Sequence, residues 1–310
     1  MNMNQKLIFP KIQKVLRTPE SSFLNLKDFP YLPRYTEIDN LRIAHIEEGP
    51  EDGVKVLLLH GEPTWSYLYR KMIPIFIKAG FRVIVPDLVG CGRSDKPSNT
   101  NDYSYLRHVY WMTEWMVKNN FTGLNLFCQD WGSLIGLRMV VNEPERFNTI
   151  SVGNGGLPTG DENFPFAFEI WKAFSRFSPW FPVDLIVQAG CTTKLSSEEL
   201  YAYRSPFPDE TYQVAVRVFP SFVPNQPNNP ESNNNREAWK FFEKWDKPLL
   251  TLFSDKDPIT AGGAKFFLKR VPGAKNQPHQ IIRDAGHFLQ EDKGEEIAEI
   301  LISFINSTSK

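Results

Sequence analysis

The chain has 310 residues, and its 35 Lys and Arg nearly balance its 36 Asp and Glu, which gives a formal net charge of -1 at pH 7. Because no dense basic run occurs, neither nucleic acid nor an anionic membrane surface is an expected partner. The N-terminal stretch MNMNQKLIFPKIQK lacks a continuous apolar segment, so we expect neither a secretory signal nor a membrane span.

The three cysteines, Cys91, Cys128 and Cys191, are widely spaced and odd in number. This pattern argues against a disulfide framework and indicates a reducing, cytoplasmic location. No cysteine and histidine cluster has zinc spacing, and the sequence has neither a GxGxxG nor a Walker-type loop. We therefore expect neither a metal nor another cofactor.

The first third of the chain predicts a lead-in followed by strands. Residues 17–34 carry scattered Pro and Phe and predict an extended segment over the surface. Leu41–Glu48 alternates as a strand does, and Val54–Leu59 (VKVLLL) is continuously apolar, as expected of a strand buried on both faces. Helical periodicity covers residues 68–79, and Gly80 is a plausible stop.

Strands and helices then alternate. Phe81–Pro86 predicts a buried strand, and residues 104–119 repeat Trp and Met at helical spacing. Residues 124–136 (LNLFCQDWGSLIG) predict a strand, a sharp turn and a helix, and residues 149–152 predict a short strand closed by GNGG. This alternation indicates a parallel sheet covered on both faces.

The rhythm changes after residue 156. Residues 157–223 are rich in Phe and Trp without strand periodicity, and the turn-rich residues 224–235 predict an exposed return connection. Strands resume at residues 248–253 and Gln280–Ile282, before a last helix over about 291–305. We predict an α/β core formed by residues 1–156 and 229–310, interrupted by a helical cap at residues 157–228.

The turn inside residues 124–136 has the form of a nucleophile elbow, with Asp130 at its tip. Cys128 and Gly132 are the small residues that such a turn needs two positions before and after the nucleophile. Taken alone, Asp130 could equally be a helix N-cap. Ser94 belongs to a turn and Ser133 lies inside the helix, and no GxSxG occurs, so neither serine competes as the nucleophile.

Two further loops favour a catalytic role for that aspartate. After the strand ending at Leu59, the backbone N–H of Glu62 is placed to form an oxyanion hole with the N–H of Trp131. The alternative is an ordinary strand-to-helix loop. The loop SDKDPIT then follows a strand at residues 254–260, where either Asp255 or Asp257 could orient a histidine.

Asp257 is the preferred partner because Pro258 fixes the following turn, whereas Asp255 is expected to be a solvated turn carboxylate. His287 lies in the small-residue turn DAGHFLQ after the last strand. The chain order Asp130, Asp257, His287 is that of an α/β-hydrolase triad with aspartate as the nucleophile.

An aspartate nucleophile points to particular chemistry. With an ordinary pKa near ~4 it is already ionised, so it can displace a leaving group from saturated carbon without a base. His287 would then activate the water that hydrolyses the resulting ester. An epoxide would need an acid, for which Tyr201, Tyr203 and Tyr212 are candidates, while a halide needs only weak donors such as the Trp131 indole. A ligand sensor that has lost turnover is a third alternative.

Several stretches carry a close resemblance to the haloalkane dehalogenases. They are HGEPTWSYLYRKMIP at 60–74, PDLVGCGRSDKP at 86–97, FCQDWG at 127–132, SPFPDETY at 205–212, LFSDKDPIT at 252–260 and DAGHFLQED at 284–292. The resemblance implies an α/β-hydrolase fold with a helical cap, and conversion of a haloalkane to a primary alcohol, halide and a proton without cofactor or metal.

The resemblance also implies residue roles. Asp130 corresponds to the nucleophile, His287 to the base, Asp257 to its partner and Trp131 to one halide ligand. Family members with Glu at the position of Glu62 take a second halide ligand from a cap tryptophan, which corresponds to Trp171, with Trp180 as the rival.

The large aromatic side chains of the lobe further suggest a small, dry cavity. We expect a monomer or a weak homo-oligomer.

Overall fold

The computed structural model describes residues 9–308. Its strands are β1 (Val15–Leu16), β2 (Arg34–Ile38), β3 (Leu41–Glu48), β4 (Val54–Leu59), β5 (Phe81–Pro86), β6 (Lys96–Pro97), β7 (Leu124–Asp130), β8 (Phe147–Gly155), β9 (Leu249–Ser254) and β10 (Gln280–Ile282). Its α-helices are α1 (Ile73–Lys78), α2 (Tyr105–Lys118), α3 (Trp131–Asn142), α4 (Phe166–Phe177), α5 (Val183–Ala189), α6 (Ser197–Arg204), α7 (Val214–Phe222), α8 (Ser232–Phe242), α9 (Ala264–Arg270) and α10 (Leu289–Thr308), which is kinked at Lys293.

Eight of these strands form one sheet in the order β10-β9-β8-β7-β4-β5-β3-β2. The strands from β10 to β5 are parallel, while β3 and β2 continue the sheet antiparallel at one edge. Because β4, β7, β8, β9 and β10 run in the same direction, the loops that follow them gather at one edge of the sheet. This confirms the predicted α/β-hydrolase architecture of a mostly parallel sheet flanked by helices.

Alternate side chains of the central strand β4 serve two separate cores. Leu57 and Leu59 belong to the core beneath α2 and α3, whereas Val56 and Leu58 belong to the core beneath α1 and α10. All four side chains are buried. The uninterrupted apolar sequence of β4 is therefore explained by helices on both faces of the sheet.

The helices α4, α5, α6 and α7 follow one another between β8 and α8. A buried ionic cluster joins this segment to the start of α10. Arg70 pairs with Glu291 at 2.6 Å and with Glu199 of α6 at 2.9 Å, and the Tyr203 hydroxyl donates to Glu291 at 2.5 Å. Since Glu291 lies only four residues after His287, the cluster fixes the loop that carries the histidine.

Most of the predicted elements are confirmed, including every strand of the parallel sheet. The helix predicted over residues 68–79 is instead a 3-10 turn at Ser66–Tyr69 followed by α1, because Pro74 is tolerated only in the first turn of a helix. Gly80, with φ +82°, ends the helix as predicted.

Two predictions of surface segments were wrong in part. Residues 17–34 bury Phe23 and Phe29, which pack against the Trp65 ring. The return connection ends early because α8 begins at Ser232, and Asn235 is fully buried. The run of asparagines predicts only turns. The apolar residues that follow it along α8 pack in the core, and the asparagines form the first turn of that helix.

Among residues 9–308, no helix is both long and apolar enough to cross a membrane. The predictions made for the first eight residues lie outside the described residues.

Gly132 is a position where the neighbouring backbone leaves no room for a side chain. A Cβ there would overlap the backbone carbonyl of Leu59. We expect Gly132→Ala to lower the free energy of unfolding by roughly 1–3 kcal/mol, because the strand and helix must move apart. The measurement is urea-induced unfolding followed by circular dichroism.

Gly156→Ala is the matched control, because a Cβ at Gly156 meets nothing within 4 Å. Its stability should be unchanged or slightly higher. Equal stability of the two variants would contradict the close-approach argument.

Candidate active site

Asp130 lies at the junction of β7 and α3, in a backbone conformation that non-glycine residues rarely adopt. Its φ is +51° and its ψ is −127°. Gly61 passes so close that a Cβ on it would overlap the Asp130 carboxylate. The Ser133 hydroxyl donates to the Asp130 carbonyl at 2.6 Å and accepts from the Gly156 N–H at 2.8 Å. Neighbouring backbone therefore holds the turn in its strained form.

The two oxygens of the Asp130 carboxylate face different partners. The Glu62 N–H donates to Oδ1 at 2.7 Å, and the Nε2 atom of His287 lies 3.5 Å from Oδ2. In the described part of the chain, neither N–H of Trp131 donates to this carboxylate. The structure thus brings Asp130, Glu62 and His287 together across three separate loops.

His287 is held from its other side by Asp257. The distance from Nδ1 to Asp257 Oδ2 is 3.0 Å. The N–H groups of Ile259 and Thr260 donate to Asp257 at 2.9 and 3.3 Å, and the Thr260 hydroxyl donates as well. Burial raises the pKa of Asp257, but His287 and these donors outweigh burial and lower it to about 2. Asp257 is therefore a carboxylate at neutral pH.

Asp255, the alternative partner, lies elsewhere. Its carboxylate is 3.8 Å from Arg283 and accepts from the Ala285 N–H at 3.4 Å. The structure places Asp257, not Asp255, against the histidine.

The imidazole of His287 lies between two carboxylates. Burial lowers its pKa, but Asp257 and Asp130 more than offset that effect and raise the pKa to about 10. The ring is therefore an imidazolium at neutral pH. The raised pKa of His287 depends on both neighbouring carboxylates.

Sequence reasoning missed two amides that fix the histidine. The Gln129 side-chain nitrogen lies 3.1 Å from His287 Nε2 and donates to the His287 carbonyl at 3.2 Å. Asn154 donates to Ser254 Oγ at 2.7 Å, to the Gly286 carbonyl at 2.9 Å and to the His287 carbonyl at 3.0 Å. Both amides are fully buried. Each lies near the end of a parallel strand, which is the one sequence signal that could have indicated them.

The Glu62 side chain is a buried acid next to Asp130. Burial raises its pKa well above the usual value, the Asp130 charge raises it further, and His287 and the Trp171 indole lower it only in part. The site therefore favours the protonated, neutral form of Glu62 more than water does. Trp171 packs against Phe181 and faces this carboxyl, whereas Trp180 is 64% exposed.

A cavity of about 550 Å³ opens onto this site. Its inner wall includes Asp130, Trp131, Leu134, Phe168 and Val223, and its other side is formed by residues of the loop after Asp257. The wall of the cavity is mainly apolar. The cavity is not as small as the aromatic sequence of the lobe predicts, because several aromatic rings of α4 point outward and do not fill it. Among residues 9–308, no group of three or more His, Cys, Asp or Glu could hold a metal ion.

Comparisons with known proteins agree with this architecture. The alpha/beta hydrolase fold family matches residues 55–184. The chain is 50% identical to a haloalkane dehalogenase of Psychrobacter cryohalolentis over 96% of this chain and 100% of that protein. It is 48% identical to a haloalkane dehalogenase of Mycolicibacterium paratuberculosis over 94% of this chain and 98% of that protein.

A solved structure is also similar. The tetrameric haloalkane dehalogenase DpaA from Paraglaciecola agarilytica NO2 superposes with a TM-score of 0.86 at 35% identity, covering 95% of this chain and 99% of that one.

The raised pKa of His287 gives a direct test of the site's electrostatics. Asp257→Asn should lower this pKa from about 10 because it removes the nearer charge, and Asp130→Asn should lower it by a smaller amount. The measurement is an NMR titration of the histidine ring.

His45, whose pKa burial lowers to about 4, is an internal control that neither variant should change. If the pKa of His287 is the same in both variants as in the unaltered chain, the two carboxylates do not raise it and the interpretation is wrong.

Proposed function

This chain belongs to the haloalkane dehalogenase family of α/β-hydrolases, and we propose that it hydrolyses carbon–halogen bonds through a covalent alkyl ester on Asp130. The observation that carries the proposal is the position of the Asp130 carboxylate, at the wall of the cavity and 3.5 Å from His287. A haloalkane and water are consumed, and a primary alcohol, a halide ion and a proton are released.

In the first step, Asp130 attacks the carbon that bears the halogen. The new bond from carbon to carboxylate oxygen forms as the carbon–halogen bond breaks, and the bonding electron pair leaves with the halide. No proton moves in this step, so the imidazolium form of His287 is compatible with it. The mainly apolar cavity supports the step because the attacking carboxylate is poorly hydrated there.

In the second step, His287 acts as the base. Ester formation removes the negative charge of Asp130, which is one of the groups that raise the pKa of His287. The imidazolium can then lose its proton, and the neutral ring removes a proton from water as the water attacks the ester carbonyl of Asp130. The acyl–oxygen bond breaks, the alcohol leaves with a proton, and the Asp130 carboxylate is restored.

We assign the oxyanion hole to the backbone N–H groups of Glu62 and Trp131. The Glu62 N–H already donates to Asp130 Oδ1 at 2.7 Å, where the negative charge develops when water attacks. The Trp131 N–H lies at the start of α3, where the helix has no internal partner for it. A donor of this kind typically contributes about 3 kcal/mol to the transition state.

For the leaving halide we propose the indole N–H groups of Trp131 and Trp171. Trp131 is buried at the cavity wall next to Asp130, and Trp171 faces the Glu62 carboxyl. The exposure of Trp180 argues against it as the second donor. We place the chain in the subfamily with Glu at position 62 and a cap tryptophan.

The organisation of the chain follows from the same proposal. Residues 157–228 form a helical cap over a core made of residues 1–156 and 229–310. We propose no metal or other cofactor, a cytoplasmic location, and a monomer or weak homo-oligomer. Two of the three tyrosines that could serve an epoxide as acids are poorly placed for that role, because the Tyr203 hydroxyl donates to Glu291 and Tyr201 is 43% exposed.

Trapping the ester tests the first step and the base together. In His287→Phe, alkylation should proceed and hydrolysis should stop, so a brominated substrate should release about one halide per chain. Intact-protein mass spectrometry should show one alkyl group, and peptide mapping should locate it on Asp130.

The double variant Asp130→Asn/His287→Phe is the control and should remain unlabelled. Halide release without an adduct, or an adduct on another residue, would contradict the assignment.

Halide binding separates the two cap tryptophans. Trp171→Phe removes an N–H donor to an anion, so the dissociation constant for bromide should rise by about tenfold or more. Quenching of the remaining tryptophan fluorescence measures it.

Trp180→Phe is the matched control, since the same substitution at an exposed tryptophan should leave bromide affinity unchanged. The reverse pattern would assign the second ligand to Trp180.

A further inference from the structure

Helix α4 exposes a continuous apolar face. Phe166, Ile170, Phe174 and Phe177 are 78, 55, 36 and 74% exposed. Their spacing of four, four and three residues places them along one side of the helix. We call these four residues the α4 stripe. The exposed Trp180 follows just after the end of the helix.

Most of the stripe is not needed to hold α4 in place, although Phe174 also stacks on the Trp171 and Phe181 rings. The opposite side of the helix makes further intramolecular contacts: Phe168 is buried, and the Ser175 hydroxyl donates to the Arg217 carbonyl of α7 at 2.9 Å. Trp171 packs on Phe181 at the same inner side. An amphipathic surface helix normally turns charged residues toward water, so this outer face needs a separate explanation.

The area of the face suits a protein interface. With about 200 Å² for a whole aromatic side chain, the exposed fractions of the stripe and Trp180 amount to on the order of 500 Å² of apolar surface. Contiguous exposed patches larger than a few hundred Å² usually mark an interaction site. A standard interface buries roughly 800 Å² on each partner, so this patch is large enough to form its centre.

The charges beside the stripe are self-complementary. Glu169 and Arg176 are both exposed and lie seven residues apart, two helical turns along the same flank of the stripe. The Arg176 guanidinium lies 5.3 Å from the centre of the Phe177 ring, at the edge of the stripe. The Asn225 amide donates to one Glu169 oxygen at 2.7 Å, and this bond orients the carboxylate.

A two-fold axis midway between Glu169 and Arg176 would pair each with the other. Two copies of α4 packed antiparallel about such an axis bring Glu169 of one copy opposite Arg176 of the second, and the reverse pair forms by symmetry. The same operation brings the Phe166 end of one stripe to the Phe177 end of the other. The apolar contacts and the charged contacts therefore favour the same antiparallel packing of the two helices.

We propose that the α4 stripe is the docking surface for a second copy of this chain, in an antiparallel α4–α4 dimer. This proposal does not depend on the catalytic assignments.

The first test removes the apolar contact. Phe177→Glu should weaken self-association, measured by sedimentation equilibrium over a range of concentrations, by about 30-fold or more. Leu32→Glu is the matched control, because Leu32 is 81% exposed outside the patch, and it should leave association unchanged. Circular dichroism checks that both variants are folded.

The second test reverses the charges. Glu169→Arg and Arg176→Glu should each weaken the dimer because like charges then face each other twice, and the double variant should restore it.

An unaltered chain that remains monomeric at all concentrations overturns the proposal. So does a dimer that neither Phe177→Glu nor the single charge reversals weaken, or a double variant no better than its parents. Binding of α4 to lipid vesicles by a monomeric chain would assign the face to a membrane instead.

Discussion

The catalytic site depends on one local constraint, the left-handed backbone of Asp130 at the end of the central parallel strands. This conformation turns the carboxylate out of the sheet and toward the cavity, and it is possible only because Gly61 and Gly132 leave room for it. The Glu62 N–H, the imidazole of His287 and the cavity wall are then all within reach of the same side chain. A nucleophile held by backbone needs little rearrangement during the reaction.

The charges in the site explain why alkylation of Asp130 precedes base catalysis by His287. While Asp130 is charged, His287 is kept protonated by two carboxylates, so it cannot act early as a base. Alkylation of Asp130 removes one of those charges and releases the base at the moment when water is to be activated. Burial and the Asp130 charge both raise the pKa of the neighbouring Glu62 carboxyl, which disfavours a further negative charge in the site.

Much of this site could be predicted from the sequence, because Glu62, Asp257 and His287 lie in loops that follow predicted strands. Asp130 is itself the last residue of such a strand. Parallel strands gather such loops at one edge, so order along the chain was enough to suggest their meeting.

The roles of Gln129 and Asn154 depend instead on contacts between side chains and backbone of different strands, which a single sequence does not display. For the same reason the sequence predicts a loop at the polar start of α8, since only its packing against the core makes it helical.

The most direct test of the covalent route is a single turnover in water enriched in ¹⁸O, with enzyme in excess over a brominated substrate. If the ester forms on Asp130, the first alcohol should carry ordinary oxygen from the Asp130 carboxylate, and the label should appear in the Asp130 side chain. Labelled alcohol in the first turnover would mean that water attacks the substrate directly, and it would contradict the covalent route.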